Sequence, residues 1–153
     1  MRKLLVGVVC AAALAVPSVS PAQQQEGWTY AYVEGVATAT QRDNRGRTTA
    51  TLTCRPPTGD IVLTDYTLAS QRRTRGATQA SVRIGVMAVN VPMTFEGRGR
   101  NRSVVINLPQ RPPILAAVQP NDRLSVTVNN ETVTYMDGGP ARMREVAYAC
   151  WGS

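Results

Sequence analysis

The chain contains no histidine in any of its 153 residues. Histidine supplies most general bases and many metal ligands, so its absence removes Ser–His–Asp and Cys–His catalysis and histidine-based zinc sites together. Lysine occurs once, as Lys3, which takes Schiff-base and Ser–Lys chemistry from the rest of the chain. No phosphate-loop or dinucleotide fingerprint is present; Gly97-Arg98-Gly99-Arg100 lacks the strand-to-helix context those motifs need. The ten acids are scattered, and Asp43, Asp60, Asp122 and Asp137 each sit beside Gly, Asn or Pro-type turn residues, which points to turn duty. These absences predict a protein that is not an enzyme and carries no cofactor and no metal.

What is present begins with an export signal. Met1-Arg2-Lys3 precedes an apolar run from Leu4 to Val16 broken only by Gly7, and small residues stand at Ser20 and Ala22. A basic start, an apolar stretch of that length and small residues before the cut describe a secretory signal over 1–22. Cleavage is expected at Ala22–Gln23, because cutting after Ser20 would leave Pro21 next to the scissile bond. Val9 before Cys10 does not suit a lipoprotein site. The run is too short to cross a bilayer of about 30 Å as a helix, and no later segment is long and apolar enough. The expected location is therefore periplasmic or secreted, with no transmembrane anchoring after signal removal. Loss of Arg2 and Lys3 leaves 15 bases against 10 acids, a formal charge of +5, with every remaining base an arginine. Abundant Ala, Arg, Val and Thr beside so little lysine look like GC-rich coding, which cautions against reading each arginine as a ligand.

Cys10 leaves with the signal, and Cys54 and Cys150 remain. In an oxidising compartment the two are expected to form a disulfide that closes nearly the whole domain. They lack C-x-x-C spacing and have no basic neighbour to lower a thiol pKa, so the pair reads as structural.

From Trp28 onward the pattern has period two. Residues 23–27 form a polar tether, and 28–153 form one domain. Trp28 to Gln41 is β-prone, with Gly35 suggesting a bulge. Arg42 to Gly46 is a turn, and Thr48 to Arg55 alternates with Ala50, Leu52 and Cys54 on one face. Strands follow around Ile61–Leu68, Val82–Val86, Val91–Phe95, Val104–Leu108, Leu124–Val128 and Thr132–Met136. Pro92 suggests an edge or a strand start, and Asn129-Asn130 signals a tight hairpin. A short helix is expected at Ile114–Val118 after Pro112-Pro113, and a second from about Ala141 to Ala149. On the latter, Met143, Val146, Ala147 and Cys150 share one face. The predicted fold is mainly β, an antiparallel sandwich or barrel of about eight strands with two short helices in the C-terminal third.

Three arginine clusters punctuate the turns: Arg42, Arg45 and Arg47; Arg72, Arg73 and Arg75; Arg98, Arg100 and Arg102. In an extended strand the last three would project to one side. If the three tips lie at one end of the fold, they form a cationic rim able to hold phosphates or carboxylates in bidentate fashion. Solvated tips in an arginine-biased chain are the plainer reading. The candidate anion-binding residues are Arg72, Arg73, Arg75, Arg98, Arg100 and Arg102. Partners consistent with them are an anionic envelope component or an acidic protein. Nucleic acid is not expected, given export and loops without interleaved aromatics. Trp28, Tyr30 and Tyr32 form a stripe that either covers the core or offers a carbohydrate platform, and Trp151 is expected to pack near the disulfide.

The layout of the signal, the early Trp28, the strand ending in Cys54, then Ile114-Leu115-Ala116-Ala117, Leu124-Ser125-Val126, Gly138-Gly139 and a last helix reaching Cys150 resembles small exported alphaproteobacterial β-sandwich proteins of the invasion-associated locus B-like type. The likeness covers most of the chain after the signal and rests on the spacing of common residue types. This chain lacks a cysteine shortly after the first tryptophan. The resemblance implies a non-enzymatic envelope protein and transfers no functional residue. The expected function is thus a non-catalytic binding or structural protein of the envelope. A protein inhibitor or accessory subunit presenting the arginine loops to an acidic partner is the alternative. A hydrolase using carboxylates such as Asp65 and Glu96 is the third reading.

Overall fold

The computed structural model describes residues 27–54, 59–108, 114, 118–119 and 121–151, with only the backbone of Arg100. The signal expected at 1–22, nearly all of the tether expected at 23–27 and most of the helix expected at Ile114–Val118 lie outside these residues. Ile114 and Val118 themselves are buried.

Nine antiparallel strands form one curled half-barrel sheet. They are β1 (Gly27–Val33), β2 (Val36–Arg42), β3 (Thr48–Cys54), β4 (Ile61–Asp65), β5 (Gln79–Ile84), β6 (Met87–Glu96), β7 (Ser103–Leu108), β8 (Leu124–Val128) and β9 (Glu131–Thr134). Their spatial order is β1-β2-β3-β4-β7-β6-β5-β8-β9. Among the described elements the one full helix, α1 (Gly139–Trp151), packs against β1 to β4, and short 3-10 turns stand at Leu68–Ser70, Arg72–Thr74 and Gly99–Asn101.

The alternation read from the sequence sets the core. On β3 the buried residues are Ala50, Leu52 and Cys54, on β4 Ile61, Leu63 and Asp65, and on β8 Leu124, Val126 and Val128. Such a pattern hides one face of a strand and wets the other. Met143, Val146, Ala147 and Cys150 bury the inner face of α1, as their helical spacing requires.

Three expectations are corrected. Glu34-Gly35 makes a hairpin turn instead of a bulge: both residues have positive φ (52° and 76°), and Val33 pairs with Val36. Two consecutive left-handed residues define the tight turn whose twist matches paired strands. The run from Trp28 is therefore two strands, and the described strands number nine where about eight were expected. Pro92 is neither at an edge nor at a strand start. It lies inside β6, which pairs with β5 from Met87 to Pro92 and with β7 from Met93 to Glu96. The Met93 N–H donates to Thr78 O at 2.9 Å, so the adjacent proline nitrogen faces the β7 side. Pairing with β7 has ended there, and the missing N–H breaks no ladder bond. The Asn129-Asn130 hairpin forms as expected, with φ of 46° and 70°.

The curled sheet is tied across its concave side by the residues after β9. The Trp28 ring meets Tyr135 edge-on at 5.8 Å, and its indole N–H donates to Met136 O at 3.2 Å. The Tyr135 hydroxyl donates to Asp65 on β4 at 2.7 Å. The end of the sheet is thereby joined to its first and fourth strands.

Candidate functional site

Every neighbouring pair of strands is antiparallel, so alternate strands in the sheet run in opposite directions. It follows that the β2–β3 turn, the β4–β5 connection, the β6–β7 turn and the β8–β9 turn all leave from the same end of the strands. All three arginine clusters lie in the first three of these segments. Arg47 precedes the first residue of β3 and Arg102 the first residue of β7. β3 and β7 flank β4, a separation of about 10 Å at ordinary strand spacing.

The charge count is lopsided. This end holds nine arginines against Asp43, Asp65, Glu96 and Glu131, a net of +5. From residue 23 onward the rest of the chain has six arginines and six acids, which balance. Among the described residues outside this end, four arginines stand against five acids, so the net positive charge of the described residues lies here.

Local structure fixes how each tip is presented. Asp43 organises the first: its Oδ1 accepts the N–H groups of Arg45 and Arg47 at 2.9 Å each, and Oδ2 accepts the Arg47 side chain at 2.8 Å. The backbone and side chain of Arg47 hold the Asp43 carboxyl below the usual carboxylate range. In the second tip Thr74 is fully buried and its hydroxyl lies against the carbonyls of Leu68 (3.0 Å) and Gln71 (2.8 Å), turning Arg72, Arg73 and Arg75 outward around it. Arg73 O accepts the Asn129 side-chain amide at 3.1 Å, and Arg73 Nη1 reaches Glu131 at 3.4 Å, docking this loop on the β8–β9 hairpin. In the third tip the 3-10 turn at Gly99–Asn101 replaces extended strand. Arg98, Arg100 and Arg102 therefore do not share a strand face as expected. Gly97 (φ 77°) permits that turn, since a side chain there would strike the Asn101 carbonyl. The Arg102 guanidinium stacks on Phe95 at 4.0 Å.

Among the described residues, Arg45, Arg72, Arg75 and Arg98 are exposed and make no ion pair, whereas Arg47 and Arg73 are engaged. Such a set is inexpensive to hold apart: two guanidiniums about 10 Å from each other in water repel by only about 0.4 kcal/mol.

Asp65 is the acid whose role the sequence concealed. It is completely buried and accepts four neutral donors: Thr67 N–H (2.8 Å), Thr67 Oγ1 (3.0 Å), Leu68 N–H (2.6 Å) and Tyr135 Oη (2.7 Å). Burial, and then the Asp65 charge, push the Tyr135 phenol well above its usual range. Completely buried and held by these donors, Asp65 is not exposed to a substrate. Glu96 is exposed at the end of β6. The hydrolase pairing of these two acids is not supported by this arrangement.

At the opposite end, Cys54 closes β3 and Cys150 lies near the end of α1, with Sγ atoms within bonding distance and Cα atoms 5.9 Å apart. That separation suits a disulfide. Gly59 O rests 3.4 and 3.5 Å from the two sulfurs and accepts the Trp151 indole N–H at 3.1 Å. Trp151 packs beside the pair as expected.

No family model, curated protein or solved structure matches the chain. No described helix is long and apolar enough to cross a membrane.

Proposed function

We propose that this protein is exported and oxidised, and that it acts without catalysis by holding a polyanionic ligand on its arginine-bearing end. The observation that carries the reading is the concentration of the described residues' net positive charge at that end, with four exposed guanidiniums left without acidic partners. Guanidiniums present a planar fork of donors suited to phosphate and carboxylate oxygens. On this reading the bent sheet is a small β-sandwich sharing β6 between its layers, a rigid stand for three short loops. The amino-terminal signal and the Cys54–Cys150 pair support an envelope location, where phosphorylated lipids and polymers are the abundant anions.

The test is retention of the oxidised protein, lacking residues 1–22, on immobilised long-chain polyphosphate. The expected result is binding at low ionic strength that weakens steeply as salt rises toward a Debye length of about 8 Å. Retention that ignores salt, or none at low salt, contradicts the proposal.

A further inference from the structure

We propose that the groove between β1 and α1 is a binding site for a neutral saccharide ring, lined by none of the clustered arginines although Trp28 pairs with Gln41 beside the first cluster. The groove is about 520 Å³ and is lined by Trp28, Thr29, Tyr30, Arg142 and Glu145. That volume falls within the range of small-molecule sites.

The chemistry of the lining selects the ligand. Arg142 Nη1 donates to both oxygens of Glu145, at 2.7 and 2.6 Å. The two charges cancel, so the groove has no net attraction for a free anion or cation. Arg142 retains its Nε and Nη2 donors, and each Glu145 oxygen retains acceptor capacity. A fixed donor edge beside a fixed acceptor edge matches adjacent hydroxyl groups, which both donate and accept. Beside this pair stands the half-buried ring of Tyr30, an apolar face for the C–H side of a pyranose.

The aromatic stripe grades along the strand in a way a pure core stripe would not. Trp28 is 7% exposed and Tyr32, on the same face, is 56% exposed, with Tyr30 between them. Only Trp28 belongs wholly to the core. It is pinned by Met136 O and Tyr135, and Gly139 brings α1 close, since a side chain there would come within 3.1 Å of the indole nitrogen. The floor of the groove is therefore rigid while its outer part stays open.

The experiment is an amide-resolved NMR titration of the oxidised protein with two neutral probes, a β-1,4-linked N-acetylglucosamine tetramer and an α-1,4-linked glucose tetramer. With at least one probe, shifts are expected to concentrate on Thr29, Tyr30, Arg142 and Glu145, with a dissociation constant of about 1 mM or tighter. Arg142→Gln and Glu145→Gln each weaken binding about tenfold, the loss of one charge-assisted hydrogen bond, without changing the melting temperature by more than about 2 °C. Arg75→Gln and Arg98→Gln leave the affinity unchanged. Absence of shifts in the groove with both probes at about 10 mM, ten times that constant, overturns the proposal. So does binding that survives both groove variants.

Discussion

The two ends of the strands are closed by opposite means. At one, β3 and α1 meet at Cys54 and Cys150, and the carbonyl of Gly59 and the ring of Trp151 complete the packing. At the other, a buried carboxylate does the closing, gathering Thr67, Leu68 and Tyr135. The carboxylate takes four neutral donors and no guanidinium. A buried charge is normally costly unless paired or fully hydrogen-bonded; here hydrogen bonds alone satisfy it. None of its partners is an arginine, so the same end combines an interior carboxylate satisfied by neutral donors with exposed Arg45, Arg72, Arg75 and Arg98 that make no ion pair among the described residues.

Breaking the first closure has the larger effect. Reduction, or Cys54→Ala with Cys150→Ala, removes a crosslink between residues 96 apart, and stability in urea is expected to fall by about 4 kcal/mol. Equal midpoints with and without reductant would mean the bond contributes nothing. Asp65→Ala attacks the second closure and leaves buried donors unpaired, at about 3 kcal/mol. A loss below about 1 kcal/mol would show that water or a rearranged loop replaces the carboxylate.

Tyr135→Phe removes one charge-assisted bond and costs about 1.5 kcal/mol. It also changes the pH response. The phenol pKa is raised in the folded state, so the folded protein holds this proton after the unfolded chain loses it. Stability is intact below the unfolded tyrosine value of about 10 and declines as pH climbs beyond it. Denaturation curves between neutral and strongly alkaline pH should show that decline shrink in the variant. The smallest effect concerns the exposed arginines: Arg72→Gln, Arg75→Gln and Arg98→Gln together should shift stability by no more than about 0.5 kcal/mol. A larger loss would make these residues structural.

Much of the scaffold was readable in the residue pattern. Ala50-Leu52-Cys54 and Met143-Val146-Ala147-Cys150 declared their faces because burial follows the periods of strand and helix. The Asn129-Asn130 turn was legible because few residues tolerate left-handed backbone. Glu34-Gly35 was not, since Glu gives no such cue, and Pro92 misled because a strand that changes partners can absorb a missing N–H. Asp65 was opaque for another reason: its partners include Tyr135, 70 positions away, and no local spacing encodes that. The arginine clusters were visible one by one, but their meeting at one end depends on strand order, a long-range property. The aromatic stripe has the spacing of a single unit, although only Trp28 is fully buried and Tyr32 is exposed.

The most direct test compares two triple variants on polyphosphate across a salt series. Arg72→Gln/Arg75→Gln/Arg98→Gln removes three unpaired arginines from the arginine-bearing end, and Arg83→Gln/Arg123→Gln/Arg144→Gln removes three arginines from elsewhere, Arg123 among them paired with Asp137, for the same change in total charge. The account predicts that the first loses most of its retention and flattens the salt dependence, while the second behaves like the parent protein. Equal losses in both would show that total charge alone governs binding and would contradict a ligand-holding end.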